Sequence, residues 1–128
     1  MTMPVLPRID GIALVLEDAM IVAYDAAAML SEFGAPEVVV CATLSDAMQR
    51  IGTGLRPALA LLDIDLGGET SLEAACALDE NAVPIIYSTG YDADSEMLEA
   101  FPRGEMLLKP YTADDIAKAL QSLGFATT

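Results

Sequence analysis

The chain has 128 residues, 54% of them apolar and 20% charged, a length at which one compact domain buries most of a hydrophobic core and two independent domains would not. Six basic residues against twenty acidic ones leave a formal charge of −14, the wrong sign for a surface that neutralises phosphates, so direct nucleic-acid binding is excluded. With no His and only Cys41 and Cys76, the chain cannot build a His/Cys zinc site or a Ser–His or Cys–His catalytic pair.

The two thiols read as reduced, buried cysteines of a cytoplasmic protein. Residues 1–10, MTMPVLPRID, lack an apolar run of signal-peptide length and are expected to be a lead-in to a domain over 11–124, with 125–128 as a tail. The first apolar stretch, Ile12 to Leu30, is broken by Glu17, Asp18 and Asp25. It falls short of a membrane span, so no membrane association is expected.

Along the chain, short apolar runs alternate with stretches of helical period. IALVL (Ile12 to Leu16) is the first strand candidate, and a helix follows from about Ala19 to Phe33, ending at Gly34 and Pro36. EVVVC (Glu37 to Cys41) is the second strand. Thr43 then stands as an N-cap before Leu44, Ala47, Met48 and Ile51, which share one helical face. ALALLD (Ala58 to Asp63) is the third strand, and TSLE (Thr70 to Glu73) has the form of a capping box that opens the third helix. VPIIYS (Val83 to Ser88) is the fourth strand. The acidic segment from Asp92 to Ala100, cut by Pro102, predicts a fourth helix that is short or irregular. EMLL (Glu105 to Leu108) is the fifth strand. The last helix starts behind Thr112 with Asp115 at its third position, runs through Ile116, Ala119, Leu120 and Leu123, and ends at Gly124. Five βα units of this kind predict a doubly wound α/β protein with a five-stranded parallel sheet, its strands apolar enough to be buried on both faces.

Functional groups of such a sheet gather outside the carboxyl ends of its strands. The first strand ends in Glu17 and Asp18, the third in Asp63 with Asp65 just beyond, the fourth in Ser88, Thr89 and Gly90, and the fifth in Lys109 and Pro110. With the order 2-1-3-4-5 these groups meet at one edge. Converging carboxylates repel one another unless a hard cation sits between them, and an all-oxygen donor set points to Mg²⁺. An Asp beside such a cation is a nucleophile for phosphoryl groups. Lys109 would neutralise phosphoryl oxygens and the Thr89 hydroxyl would hydrogen-bond one. Taken singly, each is an ordinary strand-end residue, and it is their combination that speaks for chemistry. Gly67 and Gly68 lack the lysine of a Walker loop and read as a flexible connection. Met20, Met48, Met97 and Met106 read as core fillers.

The acidic pair, the Asp after strand three, the Thr after strand four and the Lys-Pro after strand five, in this order over Ile12 to Leu123, resemble the receiver domain of a two-component response regulator. The resemblance implies the flavodoxin-like fold with strand order 2-1-3-4-5. It implies Asp63 as phosphoacceptor, with Asp18, Asp63 and the Asp65 backbone carbonyl as Mg²⁺ ligands, Glu17 acting through water, and Thr89 and Lys109 as catalytic groups. It also implies a cis peptide between Lys109 and Pro110, and a signalling surface around Gly90, Tyr91, Met106 and Pro110. PIIYSTGYD (Pro84 to Asp92) is similar to the Phe-Ala-Thr-Gly signature of an alphaproteobacterial subgroup, with Tyr87 and Ser88 in place of Phe and Ala. Two positions depart from the family pattern. Met106 stands where receivers carry the aromatic residue coupled to Thr movement, and Asp65 puts a third carboxylate near the acceptor.

A phosphohistidine on a histidine kinase or histidine phosphotransfer protein would be the donor. Whether a stand-alone regulator or a fragment of a larger protein, the chain would then act by contact with a downstream protein target, with no output domain within these residues and with homodimerisation as a family habit. Two other classes remain. LLDIDLGG (Leu61 to Gly68) resembles the Asp-x-Asp strand end of haloacid-dehalogenase-like phosphohydrolases, although their acidic pair follows the Lys instead of coming first. A phosphorylation-independent binding module is the other.

Overall fold

The computed structural model describes residues 6–90 and 95–125. Among these, strands and helices alternate as β1 (Ala13–Leu16), α1 (Met20–Glu32), β2 (Val38–Cys41), α2 (Leu44–Gly52), β3 (Leu59–Asp63), α3 (Leu72–Glu80), β4 (Ile85–Thr89), α4 (Ser95–Glu99), β5 (Glu105–Leu108) and α5 (Ala113–Ser122). The sheet order is β2-β1-β3-β4-β5, with every pairing parallel. Parallel strands need crossovers, and here each crossover is a helix, so all carboxyl ends face the same edge of the sheet.

The side chains of the sheet divide into two cores. On one face Leu14, Leu16, Leu62, Ile85 and Tyr87 pack with Ala47 and Ile51 of α2 and Ala74 and Leu78 of α3. On the other, Val15, Leu59, Leu61 and Ile86 pack with Ala23 and Leu30 of α1 and Ile116 and Leu120 of α5. Every residue of β1, β3 and β4 is buried, as their continuous apolarity requires. The expectation of burial on both faces fails at the sheet edges. In β2 only Val39 and Cys41 are buried, and in β5 only Leu107. An edge strand has one flanking strand, and the helices beside it do not cover both of its faces.

Most helix boundaries follow the local signals. The Thr43 hydroxyl accepts the Asp46 N–H at 3.1 Å to start α2. Thr112 and Asp115 exchange both bonds of a capping box at α5, and Gly124 follows the last turn at φ +89°. The capping box expected from Thr70 to Glu73 does not form. Thr70 is held in an antiparallel bridge with Asp65, which moves the N-cap one residue on to Ser71, at φ −86° and ψ 12°. That conformation keeps the Ser71 hydroxyl off the first turn, and it stays buried without a partner. The short fourth helix is present as five residues; the remainder of its predicted N-terminal turn, 92–94, lies outside the described residues.

Ile9, in the expected lead-in, is fully buried and its N–H donates to the Phe33 carbonyl at 2.8 Å. Both cysteines are free thiols, but only Cys41 is buried; Cys76 is exposed on α3, contrary to the sequence expectation. Helical position 76 falls on the side of α3 away from Ala74, Ala75 and Leu78. Among the described residues, no helix is long and apolar enough to cross a membrane.

Candidate functional site

Where β1 ends, the Glu17 N–H bonds the Cys41 carbonyl at 3.0 Å, which continues the ladder by one residue and points the next residues off the sheet edge. Ala19 is the N-cap of α1 and has no side chain to cap it. The Glu17 carboxylate supplies the missing acceptor, with Oε2 taking the Ala19 N–H at 3.1 Å. Asp63 closes β3 opposite Ser88 in register, and the next N–H, of Ile64, bonds the Ser88 carbonyl. On the far side, the Lys109 N–H bonds the Thr89 carbonyl at 2.8 Å and the Lys109–Pro110 peptide is cis, as the resemblance implies.

These backbone placements bring three charged side chains together. Lys109 Nζ lies 2.7 Å from Glu17 Oε1 and 2.9 Å from Asp63 Oδ2. The Asp63 contact is an aligned hydrogen bond, whereas Glu17 Oε1 has the ion pair without a well-directed one. Both carboxylates are buried, so the ammonium between them offsets a repulsion that would otherwise be strong in a poorly hydrated site. Burial works against the Lys109 charge, but Glu17 and Asp63 outweigh it and hold its pKa above the usual value. Asp18 stands exposed at the mouth. Partial loss of hydration there, and next the Glu17 carboxylate, push its carboxyl above the ordinary range.

Glu17, Asp18 and Asp63 each present an oxygen within 4.8 Å of the others. Three carboxylate oxygens this close, two of them from buried residues, form the hard donor set that a divalent cation such as Mg²⁺ accepts. The residues therefore fit the ion that the sequence suggested.

The other predicted residues lie at the same edge with more varied roles. Asp65 is exposed; its N–H reaches Asp63 Oδ1 at 3.4 Å, and its own Oδ1 accepts the Gly67 N–H at 3.0 Å. The third carboxylate is thus engaged with its own loop. The Thr89 hydroxyl donates to the Gly90 carbonyl at 3.3 Å and makes no bond to Asp63. Gly90 and Pro110 are exposed beside it; Tyr91 lies outside the described residues.

Met106 is not the core filler expected. It is 45% exposed, and its register partner is Tyr87, while Thr89 pairs with Leu108. Sheet alternation puts Met106 on the face of Tyr87 and Thr89, but at the sheet edge and beside a five-residue helix that side chain remains uncovered. Met20 is likewise 38% exposed, while Met48 and Met97 pack half-buried against the core.

Three features escaped the sequence reading. Tyr111 lines a cleft of about 380 Å³ with Ile21, Val22, Asp25, Lys109 and Pro110. Burial, and next Glu17, push its phenol up to about 12. An aromatic directly after Lys-Pro was the available signal. Gly67, read as part of a flexible connection, has φ +76°, and a Cβ there would come 3.0 Å from Asp18 Oδ2. It is a defined turn that leaves room for a carboxylate, and only the close approach reveals it. Tyr87 carries a hydroxyl that donates to the Pro102 carbonyl at 2.8 Å, and its ring meets Phe101 edge-on at 5.4 Å. A Cβ on Gly104 would sit 2.7 Å from that ring, so the glycine is what lets the tyrosine lie there.

No family model and no curated protein sequence matches the chain. Solved structures do. SdrG from Sphingomonas melonis Fr1 is 31% identical, with a TM-score of 0.72, covering 92% of this chain and 96% of that one. The signal receiver domain of a modulated diguanylate cyclase from Desulfovibrio desulfuricans G20 is 30% identical, with a TM-score of 0.71 and the same coverage. The response regulator receiver protein from Burkholderia phymatum shares the fold at 22% identity, with a TM-score of 0.77 over 92% of this chain and 98% of that one. An acidic cluster, a threonine and a lysine followed by a cis proline, converging at one edge of a 2-1-3-4-5 sheet in a chain 30% identical to a signal receiver domain over nearly its whole length, lead to one conclusion: the chain belongs to the response regulator receiver domains.

Proposed function

We propose that the chain is a phosphoaccepting receiver that takes a phosphoryl group from a partner phosphohistidine onto Asp63. The observation that carries this reading is Lys109 Nζ, 2.9 Å from Asp63 Oδ2 at the mouth of the acidic cluster. An Asp63 oxygen attacks the phosphorus, the phosphorus–nitrogen bond of the donor breaks, and the imidazole leaves with its bonding pair and takes up a proton. Lys109 follows the charge that moves from Asp63 to the phosphoryl oxygens, and the Thr89 hydroxyl exchanges its long bond to the Gly90 carbonyl for one of them. Asp18, Asp63 and the Asp65 backbone carbonyl would hold Mg²⁺, with Glu17 acting through water. The bound ion supplies neutralisation of the phosphoryl oxygens.

Receiver domains are signalling domains, and this reading gives the chain no substrate that it turns over beyond its own phosphoaspartate. Asp65, the acid a haloacid-dehalogenase-like hydrolase would need free, is tied to the Gly67 N–H, which favours the receiver. The donor would be a histidine kinase or a histidine phosphotransfer protein. Ile21, which lines the cleft beside Lys109, and Tyr24 on the next turn of α1, both exposed, supply an apolar surface for it. Met106 and Leu108, both exposed on β5, with exposed Gly90 and Pro110, form the surface read by a downstream protein target or a second copy, to which the sequence reading adds Tyr91. The strand-four sequence ending in Ser88-Thr89-Gly90 supports the Phe-Ala-Thr-Gly subgroup, and two free thiols suit the cytoplasm.

The test is intact-mass measurement after incubation with Mg²⁺ and a small acyl phosphate. The parent should gain one phosphoryl group only with Mg²⁺, and an Asp63→Asn protein should gain none. Equal gain in both proteins, or no gain from either the acyl phosphate or a phosphorylated histidine phosphotransfer protein, overturns the reading.

A further inference from the structure

Of four clefts formed by the described residues, three carry a basic side chain: Lys109 beside α1, Arg8 beneath the amino ends of the strands, and Lys118 between β5 and α5. The fourth differs. It is a groove of about 670 Å³ between α2 and α3, lined by half-buried Leu44, Met48 and Leu72 and by exposed Glu69, Glu73 and Glu80, with no basic residue. Among the described residues none of these three carboxylates is ion-paired. Glu73 and Glu80 are seven residues apart on α3, so they sit on one helical face two turns apart, about 10 Å along the axis. An apolar floor under unneutralised carboxylates at that repeat complements a helix with leucine-like residues on one face and lysines or arginines flanking it.

We propose that the α2–α3 groove is a docking site for a cationic amphipathic helix of a partner protein. Apolar contact with Leu44, Met48 and Leu72 supplies the affinity, and the carboxylates at positions 69, 73 and 80 select the charge and speed the encounter. The site lies apart from Asp63, and the inference does not depend on phosphoryl chemistry there. The groove also carries its own reporter, because Cys76 lines it and is exposed whereas Cys41 is buried.

The probe is an 18-residue helical peptide with leucines on one face and lysines on the other, measured at about 0.15 M salt, where exposed long-range attraction is screened. Binding should slow iodoacetamide alkylation of Cys76 at least fivefold, and a Leu/Glu peptide of the same pattern should give no protection. Neutralising the rim with Glu73→Gln and Glu80→Gln should weaken peptide affinity roughly fivefold, the size expected for two exposed ion pairs. A control with Glu32→Gln and Asp114→Asn, away from the groove, should bind as the parent does. Circular dichroism of both variants reports that the fold is intact. The proposal is overturned if the Leu/Lys peptide does not bind, if it binds without protecting Cys76, or if the control pair loses as much affinity as the groove pair.

Discussion

The two sides of the site are built differently. On one side, Glu17 and Asp63 are carried at the ends of β1 and β3, strands buried along their whole length and covered by helices on both faces. On the opposite side, Thr89 ends buried β4, but its neighbour β5 is an edge strand with Met106 and Leu108 exposed, and α4 has five residues where α1 has thirteen. The two carboxylates are anchored at the ends of strands whose every residue is buried. Among the described residues, Thr89 borders a more lightly covered part. A close-packed region resists displacement and a lightly covered one moves at small cost, so under the proposed function the asymmetry would separate a reaction centre from a responding surface.

The sharpest way to break this comparison is to truncate one leucine on each side. Leu62→Ala, in fully buried β3, should lower unfolding free energy by about 2–5 kcal/mol, whereas Leu108→Ala, at a site 44% exposed, should cost under about 1 kcal/mol. Equal losses in urea denaturation would show that the two sides are packed alike. Next in size, Lys109→Met removes the cation between Glu17 and Asp63 and should slow acyl-phosphate-dependent phosphorylation by roughly 10²-fold or more, the usual loss for a preorganised charge-stabilising group. A mass-resolved time course measures it.

Alkali probes the junction between the sides. Lys109 and Tyr111 beside the acidic cluster, and Tyr87 beneath α4, are all shifted upward; burial is the largest influence on each, raising the two phenols, while for Lys109 its two carboxylates outweigh it. A raised folded pKa means that the folded chain holds these protons more tightly than the unfolded one. Their contribution is complete below pH of about 10, where the unfolded groups titrate, and fades as pH rises through the folded values, about 12 for Tyr111. Melting temperature should therefore fall above pH of about 10, and Tyr111→Phe should flatten that slope.

A smaller effect is expected for Tyr87→Phe. It keeps the ring against Phe101 and loses the bond to the Pro102 carbonyl, for a cost of about 1 kcal/mol and faster hydrogen exchange confined to the α4–β5 side. Smallest of all, Met106→Ser should change stability by no more than about 0.5 kcal/mol, because the side chain is half exposed. A larger loss would mean that Met106 is covered in solution by a second copy.

The sequence by itself determined the order of strands and helices, because continuous apolar runs and 3.6-residue periods are local properties that Thr43, Thr112 and Gly124 punctuate correctly. It also placed Glu17, Asp18, Asp63, Thr89 and Lys109 at strand ends, and in a parallel sheet strand ends share an edge. What it could not settle depended on neighbours distant in sequence. The bridge from Asp65 to Thr70 moved the start of α3, the edge position of β5 exposed Met106, and the orientation of α3 exposed Cys76. The placing of one ammonium 2.7 Å and 2.9 Å from two buried carboxylates was likewise decided by three strand ends meeting. Periodicity is written residue by residue along the chain, whereas burial and ion pairing are set by which elements come to lie side by side.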